Sequence, residues 1–348
     1  MKAPDIPSTS AGSGVESLVT GGAGFIGSHL VERLLERGDR VTVVDDLSTG
    51  RRSNLERAMG MSGGRLRFLE SSVAGAVEAL SPDARFDEIY HLAAAVGVRL
   101  VVEDPIGSIE TNVGQTAAIL RFAHERRAPG ASPRLLIASS SEVYGKSGNT
   151  PFGEDDDVVY GPTTVSRWSY ALSKAIDEHL ALAYHAAGGL AVVVVRFFNT
   201  VGPRQVGDYG MVLPRFVLAA LRGDDLEVHG DGEQVRCFCD VRDVVGVLPR
   251  LLAEKACVGR VFNLGSDRPI SILGLADLVI RTLGSRSRVR RVPYTEAYGP
   301  GFEDLRRRVP DLSRIRAAVG FEAGLSIEDT IRSMAVSMQA DGVPECGS

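Results

Sequence analysis

Tyr170 and Lys174 stand four residues apart in SYALSK, inside a segment whose apolar residues recur at helical spacing. Positions i and i+4 share one helix face, so a phenol and an ammonium point the same way. A nearby cation favours phenolate, and lowering a tyrosine pKa from about 10 turns it into a usable base. Upstream, an apolar run ends in Ser139-Ser140-Ser141-Glu142. It offers hydroxyls that can hold an oxygen as its proton leaves, together with one carboxylate. A third group is Gly21-Gly-Ala-Gly24-Phe25-Ile26-Gly27. Only glycine lets backbone N–H groups come close to a phosphate at the start of a helix. Gly21 permits the tight turn, Gly24 admits a pyrophosphate and Gly27 lets helix pack on strand. Asp45 closes the next apolar run, 24 residues beyond Gly21 (45 less 21). A carboxylate there accepts from ribose hydroxyls and repels a 2′-phosphate, which selects NAD over NADP. Singly, these features have ordinary explanations: a solvated Tyr/Lys pair, a capping serine, a glycine turn. Their order along one chain points to hydride chemistry.

Such groups need elements to hold them. Strand-like runs recur at Ser17 to Thr20, Val41 to Asp45, Glu88 to Ala94, Arg134 to Ser139 and Ala191 to Phe197. Continuous apolar runs such as AVVVVRFF suit parallel strands buried on both faces. Helical stretches such as SHLVERLLERGD and YALSKAIDEHLALAYHAAGG separate them and run into glycine. This alternation predicts an α/β, doubly wound parallel sheet. Ligands of such sheets bind outside the carboxyl ends of the strands, where the serines and Glu142 would project. Residues 1–14 read as a flexible tail, 15–199 as the dinucleotide-binding domain and 336–348 as a second tail. Residues 200–335 read mainly as a smaller substrate lobe, with VFNLG near residue 263 returning to the sheet.

The motifs GGAGFIG, VVDDLSTG, HLAAAVGV, SSSEVYG, YALSK and RFFNTVGPR, in order from about residue 17 to 330, resemble the extended short-chain dehydrogenase/reductase family of nucleotide-sugar enzymes. The resemblance implies a Rossmann-type domain with a smaller C-terminal substrate-binding lobe, tightly held NAD, and chemistry that begins by oxidising the sugar C4 hydroxyl. It makes Tyr170 the base, has Lys174 position the nicotinamide ribose and tune Tyr170, and places Ser140 on the C4 oxygen. Phe25, Ile26, Ala93 and Asn112 join the glycines and Asp45 as implied cofactor contacts. It implies a homodimer formed through two helices, here Gly114 to Arg127 and Trp168 to His185.

Within that family, Ser140-Ser141-Glu142 lacks the aspartate that 4,6-dehydratases use to protonate a departing hydroxyl, and it is similar to UDP-glucuronate decarboxylases. Arg308, in RRRVPDLSR, matches an arginine beside the sugar carboxylate. Arg236 resembles the residue that clamps the diphosphate, a task suited to a guanidinium fork. Arg99 and Arg196 are further carboxylate candidates, Ser141 and Asn199 further substrate contacts, and His229 falls near the implied uracil. The expected reaction is decarboxylation of UDP-glucuronate to UDP-xylose or UDP-4-keto-xylose. A UDP-sugar 4-epimerase is the alternative, and a non-catalytic NAD sensor would need neither Ser140 nor the Tyr170–Lys174 pair.

Composition narrows the classes further. The chain has 348 residues, 44% hydrophobic, and carries 39 basic against 44 acidic side chains, a net charge of −5. That apolar fraction excludes wholesale disorder, and the acidic balance argues against a nucleic-acid binder. No apolar stretch approaches the ~20 residues of a membrane span. Cys237, Cys239, Cys257 and Cys346 lack zinc-ligand spacing, so no metal is expected and a reducing cytoplasm is the simplest home.

Overall fold

The computed structural model describes residues 14–95, 104–127, 132–207, 211–298 and 305–342. Six strands, β1 (Glu16–Thr20), β2 (Arg40–Asp45), β3 (Leu66–Glu70), β4 (Glu88–His91), β5 (Arg134–Ser140) and β6 (Ala191–Phe197), join Arg260–Leu264 in one seven-stranded sheet. From one edge the order is Arg260–Leu264, β6, β5, β4, β1, β2, β3, and every pairing is parallel. The chain reverses its direction of growth between β1 and β4, which opens a crevice at their carboxyl ends.

The helices α1 (Phe25–Arg37), α2 (Glu56–Met61), α3 (Val73–Ala79), α4 (Pro105–Glu125) and α5 (Ser169–Gly188) cover this sheet together with Val241–Ala253. Strand alternation decides which residue meets which helix. On β6, Val193 and Val195 pack with Leu30, Leu34 and Leu248, whereas Val192 and Val194 pack with Ile119, Leu120 and Ala181. Both faces are dry, as the unbroken valine run requires. α1 stops at Gly38 and α5 at Gly189, whose φ values of 102° and 67° suit a residue without Cβ.

Two expectations need correction. The strand read as Glu88 to Ala94 ends at His91. Leu92 to Ala95 leaves the sheet because Gly21 packs directly on the Ala93 backbone, where even a Cβ would sit 2.7 Å from the Ala93 nitrogen. Arg196 does not face the cleft. Alternation turns it to the same side as Val192 and Val194, where it donates through Nε and Nη2 to Glu178 of α5 at 2.9 and 2.7 Å. Its guanidinium also lies over the Tyr144 ring.

The rest of the chain builds a second cluster from Val212–Arg222, Ile272–Leu283 and Ile327–Ala340, which enclose Phe216, Leu275 and Met334. A small sheet sets Val235–Cys237 between Pro269–Ser271 and Arg307–Arg308, with Arg308 in register with Arg236. Backbone bonds from Phe152 to Val309 and from Asp311 to Phe152 dock this strip against the loop beyond β5. Cys237 and Cys239 are both buried, on separate short strands.

Glu178→Ala should destabilise the fold by about 3–5 kcal/mol, because it leaves the buried Arg196 charge without its partner. Denaturant unfolding measures this, and an unchanged midpoint would show that the pair does not hold β6 to α5.

Candidate active site

A continuous cavity of about 700 Å³ runs along the carboxyl edge of the sheet and under the smaller lobe. One end is the glycine turn. Gly21 has φ 71°, and its carbonyl accepts from Gly24 N–H. A Cβ at Gly27 would fall 2.0 Å from the Gly21 oxygen, so the turn and the first turn of α1 can touch only without one. Asp45 accepts from Ala23 N–H and Leu47 N–H, both at 2.9 Å, which ties β2 to the turn. Burial raises its carboxyl above the usual range, while these two bonds oppose the shift. Gly21, Gly24, Phe25, Ile26, Gly27, Asp45 and Ala93 all line the cavity, as do Ser71 and Ser72 beyond β3. This backbone-lined cradle at a helix start fits a dinucleotide pyrophosphate, and the acid beside it fits a ribose.

Asn112 lies outside the cavity wall. It is buried, and its Oδ1 accepts from Ala95 N–H at 2.8 Å while its amide donates to Ser173. Through these bonds it fixes the loop after β4 onto α5. Arg99 falls outside the described residues.

Ser140, Tyr170 and Lys174 line the middle of the cavity. Ser140 ends β5, and its hydroxyl shares a hydrogen bond with the Tyr170 phenol and accepts from Glu142 N–H at 3.2 Å. The phenol is held well above its ordinary pKa, chiefly by burial and then by the Glu142 charge, with Asp177 adding to the effect. Lys174 is not among the groups that set this shift. The ammonium instead donates to Asp177 Oδ2 at 3.1 Å, one turn along α5.

Glu142 is held from two sides. Arg308 Nη1 donates to its Oε1 at 2.6 Å and Arg167 Nη1 to its Oε2 at 2.8 Å. These guanidinium groups outweigh burial and hold its carboxyl at about 2. Arg308 reaches it from the small sheet, and Arg167 from the short turn Ser166–Trp168 that leads into α5. All three line the cavity, and Ser141 lies beside them. Arg167 is absent from the sequence-derived set. Its signal was available: it precedes Tyr170 by three residues, which puts both on one face of the same helical run.

At the far end, Asn199 donates to the Cys237 carbonyl, and His229 lies 3.0 Å from an Arg215 nitrogen. Arg236 Nη1 donates to the Val235 and Leu305 carbonyls. All three line the same cavity. Arg215 was not singled out by the sequence either, because its link to His229 joins a helix to a separate strand.

Residues 17–265 match the family described as NAD dependent epimerase/dehydratase. The chain belongs to that family. NAD is accordingly its cofactor. The chain is 40% identical to a UDP-N-acetyl-alpha-D-glucosaminuronate decarboxylase of Bacillus cytotoxicus, over 90% of this chain and 95% of that one. It is 36% identical to UDP-glucuronic acid decarboxylase 2 of Arabidopsis thaliana, over 92% of this chain and 67% of the relative. Among solved structures, the NAD complex of UDP-glucose 4-epimerase from Thermus thermophilus superposes with a TM-score of 0.79 at 28% identity, covering 93% of this chain and 99% of that one. The epimerase/dehydratase frame thus spans the sheet and the small lobe alike.

Gly27→Ala should weaken NAD binding at least ~10-fold, because the added methyl drives the turn off the helix start that the phosphates need. Titration of the purified protein with NAD, followed by calorimetry, reads this directly. Wild-type affinity in the variant would show that the close approach is not required.

Proposed function

We propose that this family member is an NAD-dependent decarboxylase of UDP-glucuronate, giving UDP-xylose, UDP-4-keto-xylose or both. The observation that carries this reading is the buried trio Arg167–Glu142–Arg308. Within the trio two guanidinium groups face one carboxylate kept ionised, so the trio itself carries one positive charge more than negative in the wall of the cavity. A neutral sugar gains nothing from that charge, whereas a uronate carboxylate neutralises it. The names of both relatives also carry a nucleotide-linked uronic acid and a decarboxylase activity.

When bound, NAD accepts hydride from the sugar C4 and can return it. The chain supplies the proton handling. Tyr170, once its own proton has passed to solvent, takes the C4 hydroxyl proton as phenolate, and Ser140, already hydrogen-bonded to the phenol, is placed to hold the oxygen. With a ketone at C4, the substrate is a β-keto acid. The C5–carboxylate bond breaks with its electron pair entering the carbonyl, and CO2 departs. Ser140 and Tyr170 then face the enolate oxygen, where hydroxyl donors stabilise developing charge. A proton added at C5 completes the balance. Glu142 is not its donor while two arginines keep it ionised, so its part is to hold Arg167 and Arg308 in place. Loss of the substrate carboxylate as neutral CO2 removes the charge that the trio binds, which favours product release. Arg236, Asn199 and His229 would receive the nucleotide diphosphate end.

A second reading concerns C2, since the relative at 40% identity is named for the N-acetylated sugar acid. Incubation of the protein and NAD with each of the two UDP-uronates, followed by mass spectrometry, tests both. The expected product has lost CO2. A product of unchanged mass makes the chain a 4-epimerase instead. Arg167→Ala should cut the decarboxylation rate by about 10²-fold or more while NAD stays bound, since it leaves Glu142 with Arg308 alone and removes one of the two positive charges of the trio.

We propose also that two copies pair through α4 and α5. These helices pack side by side and expose Ile106, Ile109 and Ile176, with 70%, 41% and 45% of their surface open. Apolar side chains on paired helices suit a second copy of the same faces across a twofold axis. Among the described residues no helix is long and apolar enough to cross a membrane, and Cys237, Cys239 and Cys257 carry free thiols, which suits the reducing cytoplasm. Light scattering at micromolar concentration should show a dimer for wild type and dissociation for Ile106→Lys. A monomeric wild type would refute the pairing.

A further inference from the structure

The loop that leaves β6 for the smaller lobe makes contacts that the proposed chemistry does not use. Thr200–Val201 pairs with Cys239–Asp240, and the chain then turns from Gly202 to Gln205, where the Gln205 N–H donates to the Gly202 carbonyl. Arg204, inside this turn, has a φ of 69°. A residue with a Cβ is crowded in that region, so its surroundings must hold it there. They do. Arg204 Nη1 donates to Ser28 Oγ at 3.1 Å, and Nη2 donates to Glu32. One residue earlier, the Pro203 carbonyl accepts from His29 Nε2 at 3.0 Å. Ser28, His29 and Glu32 all belong to α1. Two consecutive loop residues thus grip one helix.

That helix is the one that begins at the glycine turn. Ser28 N–H donates to the Gly24 carbonyl at 3.0 Å, and its hydroxyl donates to the Phe25 carbonyl at 3.1 Å. Arg204 is therefore bonded to a residue that itself closes the first turn of α1. His29 meets the Phe25 ring edge-on, with centroids 6.0 Å apart. Phe25, Ile26 and Arg204 line the same cavity. Glu32 is buried, and Arg57 approaches it at 3.6 Å from an exposed position. Removing Arg204 would leave that carboxylate in a dry place with only this distant partner, which is costly. A helix start holds a phosphate through its first N–H groups, and only while they keep a common direction.

We propose that Arg204 is a positioning residue for the dinucleotide: through Ser28 and Glu32 it fastens the first turns of α1 to the smaller lobe, and so slows the departure of NAD. The inference rests on the start of α1 receiving the dinucleotide phosphates. It does not depend on which sugar the protein acts on.

The test is the release of radiolabelled NAD from the holoprotein into excess unlabelled NAD, a readout that needs no turnover. Arg204→Met removes both bonds and should release NAD about tenfold faster than wild type. Arg204→Gly removes the same bonds but suits the positive φ, so it should melt at a higher temperature than the methionine variant. It should still release NAD as fast, and it serves if the methionine variant does not fold. A merely structural role would instead make release follow melting temperature. Glu32→Gln separates fastening from bare charge, because it leaves the Arg204 cation without its counter-charge. Release should then be about threefold faster if the pair holds α1, and slower if the cation only attracts phosphate. Wild-type release in the Arg204 variants overturns the proposal. So does slower release in Glu32→Gln, or release that tracks melting temperature across the set. Wild-type NAD affinity in Gly27→Ala would show instead that the phosphates lie elsewhere.

Discussion

A single carboxylate joins three remote parts of this chain. Glu142 follows β5, Arg167 precedes α5, and Arg308 arrives from the small sheet of the second cluster. Without the arginines, burial would push Glu142 toward its neutral form, and a buried carboxyl would face a largely apolar wall. With them it stays charged, and the lobe is tied to the sheet at the place where the sugar must lie. Docking of the lobe and preparation of the site therefore rest on one electrostatic contact.

That arrangement has a cost at Tyr170. The charge that organises two arginines also disfavours phenolate next door, and Asp177 opposes it from the other side. The base is thus restrained by two anions and helped by one hydroxyl. A site that must ionise a phenol only with substrate in place gains from such restraint, because a standing phenolate in a dry cavity would be an unpaired charge.

Much of this was legible in the amino-acid order, for physical reasons that also mark where reading fails. Continuous valines announced β2 and β6, and the glycine spacing announced the turn between β1 and α1. Apolar composition misled at Leu92 to Ala94, since an apolar loop pressed on Gly21 reads like more strand. Arg196 misled because its partner, Glu178, lies on a helix that only the folded sheet brings beneath it. Asp177 was in plain view: the helical spacing that pairs Tyr170 with Lys174 pairs Lys174 with Asp177 equally well.

The strand Arg260–Leu264 covers the outer edge of β6, although more than sixty residues separate the two (260 less 197). The stretch 198–259, which includes Val212–Arg222 of the second cluster, is consequently an excursion between two neighbouring strands of one sheet, and it cannot be lost without uncovering the sheet. A nascent chain that has just emitted AVVVVRFF carries its most apolar strand with a bare edge until the excursion is complete. Ribosome and chaperone must shelter that edge, and a gene fragment ending near Phe198 would encode an adhesive half-sheet and not a minimal nucleotide-binding protein.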